Sequence, residues 1–188
     1  MAHETANAMV DEGVQIARAI DAILDEWRDG RAADTNRRLA EDERVALRFV
    51  RWVDGDEERF HAVLDALPDA VDDWMLNLAP ELARHGRHAA AETIARGFAA
   101  VWEPENFLAD LALGLAWGGA HDAARRVIAE CLSRFPNDPW VSIKCGDARA
   151  ELGEMDAAAR LYRRGRELAG DDLGTVEAAE ERLESLAS

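Results

Sequence analysis

Hydrophobic residues recur along the whole chain at helical spacing, and no segment alternates between apolar and polar residues in the manner of a strand. Near the N-terminus Ile16, Ile20 and Ile23 follow one another at intervals of three or four residues, which places them on one face of a helix. Similar intervals recur downstream, as far as Leu183 and Leu186 at the end of the chain. The pattern predicts an all-α protein.

Breaks in this pattern divide the chain into about ten helices, since Gly and Pro interrupt helices most strongly. The breaks fall at Gly30, Pro68, Gly86, Gly118, Gly119, Pro136, Gly153 and Gly170. A fifth helix is expected from His88 to Trp102. Asp138 followed by Pro139 has the order of a helix start, a cap and then a first-turn proline. Pro80 lies inside the fourth helical pattern, where a kink is expected.

The second half of the chain repeats itself with a period of 34 residues, because residues 139–172 align with residues 105–138. Identical residues meet around one predicted turn, where Gly119 aligns with Gly153 and Ala124 with Ala158. Residue sizes also agree elsewhere in the two units. The further pairs are Ala112 with Gly146, Ile128 with Tyr162, and Cys131 with Gly165. Repetition at this period indicates stacked helical pairs.

This helix–turn–helix unit resembles the tetratricopeptide repeat (TPR) family, which places small residues at helix crossings and Gly at the turn. The resemblance is clearest over 105–172, and 71–104 align as a weaker third unit. Residues 38–67 would form a further pair, with Gly55 at its turn but Phe60 in place of a small residue. The resemblance implies one α–α superhelical domain over 1–188. It has divergent N-terminal helices (1–70), TPR-like units (71–172) and a capping helix (173–188).

In the TPR family the first helices of successive pairs line a concave groove that binds peptides. The resemblance places in that groove Asn106, Asp110, Leu113, Trp117, Trp140, Ile143, Lys144, Asp147 and Glu151. Trp117 and Trp140 would be exposed aromatic anchors there, and the two acids Asp147 and Glu151 would select a basic flank. The alternative is that the last helix or a second subunit covers both tryptophans.

The chain carries 38 acidic and 22 basic residues, a formal net charge of −16. So acidic a protein is not expected to bind nucleic acid or an anionic membrane surface. There is no apolar run of membrane-spanning length and no signal-peptide pattern, so a cytoplasmic location is predicted. Lys144 is the only lysine among the basic residues, which is typical of a GC-rich bacterial genome.

Histidine and glutamate residues between the third and fifth helices are the candidate metal ligands. They are Glu58, His61, Glu81, His85, His88 and Glu92. Glu58 and His61 have the spacing found in carboxylate-bridged di-metal sites, but such a site needs a second pair, which the sequence lacks. Solvated surface positions are therefore the favoured interpretation. Cys131 and Cys145 fall at small-residue positions of the repeat and are expected in the core.

The sequence thus predicts a non-enzymatic interaction module, without a cofactor, that binds a protein or peptide in its concave groove. The expected partner is amphipathic with a basic flank. One alternative is a dedicated chaperone, since the chain resembles TPR-type secretion chaperones in size, acidity and an extra N-terminal helix through which it would form a homodimer. Another is a metal-dependent helical protein that uses the residues of helices three to five.

Overall fold

The computed structural model describes residues 2–28, 35–68 and 70–187, and every regular element within these ranges is an α-helix. The helices are α1 (Ala2–Arg28), α2 (Thr35–Val53), α3 (Glu57–Leu64), α4 (Ala70–Arg84), α5 (His88–Ala99), α6 (Pro104–Trp117), α7 (His121–Arg134), α8 (Pro139–Glu151), α9 (Met155–Ala169) and α10 (Leu173–Leu186). The predicted all-α class is confirmed. The break expected at Gly30 lies outside the described residues.

Polar caps and prolines set several helix starts as the sequence predicts. The Asp138 side chain accepts a hydrogen bond from the Val141 N–H at 2.8 Å, with Pro139 in the first turn of α8. Pro80 lies within α4 and does not end it. The prediction for the fifth helix is wrong at its C-terminus, because α5 ends at Ala99 and not at Trp102.

Helices α4 to α9 form three consecutive pairs that stack side by side. Helix α6 packs on α4 and α5 of the preceding pair, on its own partner α7, and on α8 of the next pair. This is the neighbour order of a helical repeat. Helix α10 packs on α9 and α8 at the end of the stack and turns an acidic face to solvent. The exposed acids of that face are Glu177, Glu180, Glu181 and Glu184.

The turns inside the three pairs share one backbone geometry. Gly86, Gly119 and Gly153 have φ of +78°, +75° and +74°, a region that residues with a side chain rarely adopt. In each turn the residue after the glycine donates its N–H to a carbonyl of the preceding helix at 2.9 Å. The hydrogen bonds run from Arg87 to Leu82, from Ala120 to Leu115, and from Glu154 to Arg149. The sequence repeat is therefore also a repeat of conformation.

Small residues let the helices of the last pair approach closely. A Cβ atom added to Gly146 of α8 would lie 2.5 Å from Cε1 of Tyr162 on α9. A Cβ atom on Gly165 of α9 would lie 2.7 Å from Cγ1 of Ile143. The equivalent small residues of the preceding pair, Ala112 and Cys131, are fully buried. The small positions picked out by the sequence repeat are the helix contacts.

Helices α2 and α3 join the stack through large aromatic side chains. Phe49 of α2 and Phe60 of α3 stack with ring centroids 5.7 Å apart and planes inclined by 6°. Phe98 of α5 lies 5.7 Å from Phe49 and 5.5 Å from Phe107 of α6. Trp102 closes the group at 6.1 Å from Phe60. We call these five rings the aromatic joint. It fixes α2 and α3 against the first two pairs.

No helix in the described part of the chain is both long enough and apolar enough to cross a membrane.

Candidate functional site

The inner helices α4, α6 and α8 run alongside one another. An ion pair between α6 and α8 shows how these two helices are aligned. The Lys144 ammonium of α8 lies 2.8 Å from the Asp110 carboxylate of α6, and the two residues are 34 positions apart. Equivalent positions of successive units are therefore neighbours. By the same register Trp117 at the end of α6 is level with Glu151, and Trp140 at the start of α8 is level with Asn106.

Two adjoining cavities lie along this inner face. The first, of about 360 Å³, lies between α2, α4 and α6 and is lined by Leu39, Leu76, Asn77, Pro80, Leu113 and Trp117, among others. The second, of about 380 Å³, lies between α6, α8 and α10 and is lined by Leu113, Trp117, Ala150, Glu151 and Arg182, among others. Leu113 and Trp117 form the ridge between them. We call the two cavities with this ridge the concave groove.

Trp117 is the dominant apolar side chain of the concave groove. It is 44% exposed, although a ring of this size is usually buried in a protein of one chain. The Arg84 guanidinium of α4 lies 5.7 Å from its ring centroid, a distance at which a cation is attracted to an aromatic face. Glu81 lines the first cavity and Glu151 the second, so each side of the ring has a carboxylate nearby.

Trp140 does not join Trp117, contrary to their pairing in the sequence analysis. It is 41% exposed, but it lines neither cavity of the concave groove. The register places it level with Asn106, eleven residues before Trp117, which is about 16 Å along parallel helices. The two tryptophans therefore lie at opposite ends of the inner face. α10 leaves both exposed within the described chain.

Ile143 lies in the core and not in the concave groove. Its side chain is fully buried with Ala158 and Tyr162 of α9, and it fills the space left by the missing side chain of Gly165. The groove position transferred from the family pattern is therefore wrong for this residue. The physical reason is that α9 crosses α8 closely at this point and covers it.

Asp147 lines the second cavity of the concave groove, where its carboxylate is already engaged by neighbouring side chains. Its Oδ1 atom accepts hydrogen bonds from Nε of Arg182 at 2.7 Å and from the Tyr162 hydroxyl at 2.9 Å. Burial, followed by the Asp147 charge, raises the pKa of Tyr162, so the hydroxyl stays protonated and donates. Asp147 therefore ties the capping helix α10 to α8. Asp147 and Glu151 are the two acids predicted to select a basic flank, and of the two Glu151 is the one exposed to solvent.

Asn106, Asp110 and Lys144 form one polar network, and Asp110 lines the first cavity of the concave groove. The Lys144 ammonium also lies 3.3 Å from the Asn106 side-chain oxygen. Burial raises the pKa of Asp110, while the neighbouring Lys144 charge acts in the opposite direction. Lys144 thus serves the contact between α6 and α8. Its ammonium is already engaged by Asp110 and Asn106.

The candidate metal ligands make separate local contacts. His61 lies 3.7 Å from Glu57 in its own helix, and His85 contacts Glu81 of α4. The ring of His88 lies 3.1 Å from the Gly118 carbonyl oxygen, which links α5 to the next turn. Among the described residues no three His, Cys, Asp or Glu side chains are grouped in a way that would hold a metal ion.

The two cysteines are fully buried, as expected of core positions. A hydrogen bond with Cys131, together with burial, raises the pKa of Cys145. Because the thiolate is the reactive form, the raised pKa makes Cys145 unsuited to nucleophilic chemistry.

Several residues of the concave groove were not selected from the sequence, although the repeat itself points to them. Shifting Asp110, Leu113 and Trp117 back by 33 residues, the offset between Gly86 and Gly119, gives Asn77, Pro80 and Arg84. The first two line the first cavity, and the third lies over Trp117. The weaker third unit therefore contributes to the groove at the same positions as the stronger ones. Arg182, from α10, has no such signal in the repeat.

No family model matches the chain, and no match was found among curated proteins or solved structures.

Proposed function

We propose that this protein is a non-enzymatic interaction module that binds an amphipathic segment of another protein in the concave groove. The observation that carries the proposal is Trp117, a large aromatic side chain that is 44% exposed and lines both cavities. Exposed aromatic side chains within concave apolar surfaces are the common anchors of protein interfaces.

The chemistry of the groove supports one type of ligand. Leu76 and Leu113 supply partly exposed apolar surface in the first cavity, and Leu113 and Ala150 supply it in the second. Glu81 and Glu151 supply negative charge near the two ends of that surface. A helix or extended peptide with apolar anchors and a Lys or Arg flank complements this arrangement. An acidic peptide does not, because the formal net charge of the chain is −16.

A TPR relationship and a cytoplasmic location are part of the same proposal. The 34-residue period, the glycine turns and the small residues at helix contacts support the relationship. With Asp147 engaged by Arg182, the proposal assigns selection of the basic flank to Glu151 and Glu81. Trp140 contributes only to ligands long enough to span the inner face.

The test is binding of peptides selected from a random display library on the parent protein. The enriched peptides are expected to carry apolar residues at helical spacing with a basic flank. Trp117→Ala is expected to weaken the affinity of a selected peptide by about thirtyfold or more, as expected for loss of an aromatic anchor. Arg126→Ala, on the exposed side of α7, is the matched control and should bind like the parent.

Trp140→Ala tests whether Trp117 is the main anchor. For a short peptide, this variant should lose less affinity than Trp117→Ala. Circular dichroism verifies that each variant remains helical. Full affinity in a folded Trp117→Ala variant contradicts the proposal.

A further inference from the structure

A second apolar groove lies at the other end of the molecule, between α1 and α3. It has a volume of about 460 Å³ and shares no lining residue with the concave groove. Its walls and floor include Val10, Val14, Ala17, Trp52, Ala62 and Val63. We call it the N-terminal groove.

The groove is built around the ring of Trp52. A Cβ atom added to Gly13 of α1 would lie 2.8 Å from a ring carbon of Trp52, so the missing side chain lets the ring lie against the α1 backbone. On the solvent side of this contact Val10 is 66% exposed and Val14 45% exposed. Together with Ala17 they form a stripe at helical spacing that extends beyond the core face of α1. This stripe is an open wall of the groove.

Acids outnumber bases on the helix faces around the N-terminal groove, although the charged residues that line it are one of each, Glu58 and Arg59. The exposed acids on α1 and α3, with the residue that follows α3, include Asp11, Asp21, Asp25, Glu26, Glu57, Glu58 and Asp65. The basic residues beside them are Arg18 and Arg59, and the guanidinium of Arg59 already lies 3.2 Å from the Asp56 carboxylate. An apolar floor between helix faces of this net charge complements a basic helix.

We propose that the N-terminal groove docks an amphipathic helix of a partner protein, with an apolar stripe at helical spacing and Lys or Arg on its flanks. The groove has the form of helix-in-groove recognition, in which anchors four and seven residues apart enter an apolar channel. A second copy of this chain fits less well, because its own acidic helix faces would oppose Asp11, Asp21 and Glu58. The site is independent of the concave groove and adds a second binding surface to the protein.

The test uses a fluorescein-labelled helical peptide of 18 residues, with Leu on one face and Lys on the other, and measures binding by fluorescence anisotropy. Val14→Asp is expected to weaken binding by about tenfold or more, since it removes an anchor and adds a charge to the groove wall. Leu173→Asp makes the matched change at an apolar residue of α10 that is 73% exposed, and it should bind like the parent.

A second pair of matched variants tests the contribution of charge to binding. Glu58→Arg should weaken binding of the Lys peptide and reduce its salt dependence, whereas Glu177→Arg on α10 should not. Ala62→Glu, on the α3 wall, repeats the test if circular dichroism shows that Val14→Asp disturbs α1.

Three results would overturn the proposal. Loss of binding in Trp117→Ala, with Val14→Asp unaffected, would place the peptide in the concave groove alone. Equal affinity for a peptide with Glu in place of Lys would remove the charge argument. A dimer in sedimentation equilibrium that Val14→Asp dissociates would assign the groove to a second copy of the chain.

Discussion

The two ends of the molecule hold their helices together in different ways. Towards the C-terminus α8 and α9 meet through Gly146 and Gly165, where an added methyl group would lie within 2.7 Å of a neighbouring side chain. Towards the N-terminus α2 and α3 meet the stack through the rings of the aromatic joint, with Phe60 fully buried at its centre. Gly97 admits Val50 beside the same joint and Gly13 of α1 admits Trp52 of α2, so close approaches through glycine also occur towards the N-terminus.

The difference explains why the sequence repeat fades towards the N-terminus. A crossing made of small residues fixes residue size at defined offsets, and this leaves a visible period in the sequence. The aromatic joint is filled by side chains from several helices, so packing there constrains the total side-chain volume. It does not fix the size of a residue at any one offset in the sequence. The turn between α2 and α3 differs as well, because both Asp54 and Gly55 have positive φ, of 47° and 76°.

The largest effect is expected at the aromatic joint. Phe60→Ala removes a fully buried ring that contacts Phe49, Phe98 and Trp102, and should lower the free energy of unfolding by about 3–5 kcal/mol. Phe135→Ala, at a half-buried ring near the end of α7, is the matched control with a smaller loss. Chemical denaturation measures both. Equal losses would mean that the joint contributes no more than an ordinary surface contact.

A smaller effect is expected at the crossing of α8 and α9. Gly146→Ala places a methyl group 2.5 Å from the Tyr162 ring and should cost about 1–3 kcal/mol, even though alanine favours a helix. Gly174→Ala in α10 is the control, because its nearest heavy atom would be 3.6 Å away. That variant should be as stable as the parent or slightly more stable. A stabilised Gly146→Ala would show that the crossing is not tight.

The smallest effect is expected from the ion pair between the outer helices α5 and α7. Arg96 donates to the Glu130 carboxylate at 2.9 Å and 3.0 Å, and the two residues are 34 positions apart. Hydrogen bonds from Arg96, and then from Arg134, lower the pKa of Glu130 below its ordinary value of 4.5. A carboxyl group with a lowered pKa stabilises the folded state above its ordinary pKa, and this contribution is lost as the pH falls through the lowered value.

Glu130→Gln should therefore cost up to about 1 kcal/mol at pH 7, since the pair is partly exposed to solvent. The difference from the parent should shrink as the pH falls below 4.5. Glu167→Gln, at an exposed position of α9, is the control. A difference that persists at the lowest pH at which the protein remains folded would mean that packing, and not charge, accounts for it.

The sequence predicted the stacked pairs because glycine turns and small crossings each require one residue type. It did not predict the end of α5 at Ala99, since the helical pattern of apolar residues continues to Trp102. There the Phe98 carbonyl accepts the N–H groups of both Val101 and Trp102, which tightens the last turn. Trp102 then leaves the helix and packs in the aromatic joint.

The site was predicted in part. The concave groove is lined, as the family pattern implied, by Asp110, Leu113, Trp117, Asp147 and Glu151. Ile143 could not be placed from the pattern of α8 alone, because its surroundings come from α9. Asp147 lines the groove, but its contacts with Tyr162 and Arg182 come from α9 and α10 and were not predicted. The burial of Ile143 against Tyr162 and the contact of Asp147 with Arg182 depend on how α9 and α10 pack. The spacing of residues within α8 does not encode that packing.

The central claim is that Trp117 is the contact residue of the concave groove. Fluorine NMR of protein labelled with 5-fluorotryptophan tests it directly, since each resonance can be assigned by a single Trp→Phe substitution. Addition of a peptide selected on the parent protein should shift the Trp117 resonance most and leave the buried Trp74 resonance in place. A shift confined to Trp52, with Trp117 unchanged, would contradict the account and move the main binding surface to the N-terminal groove.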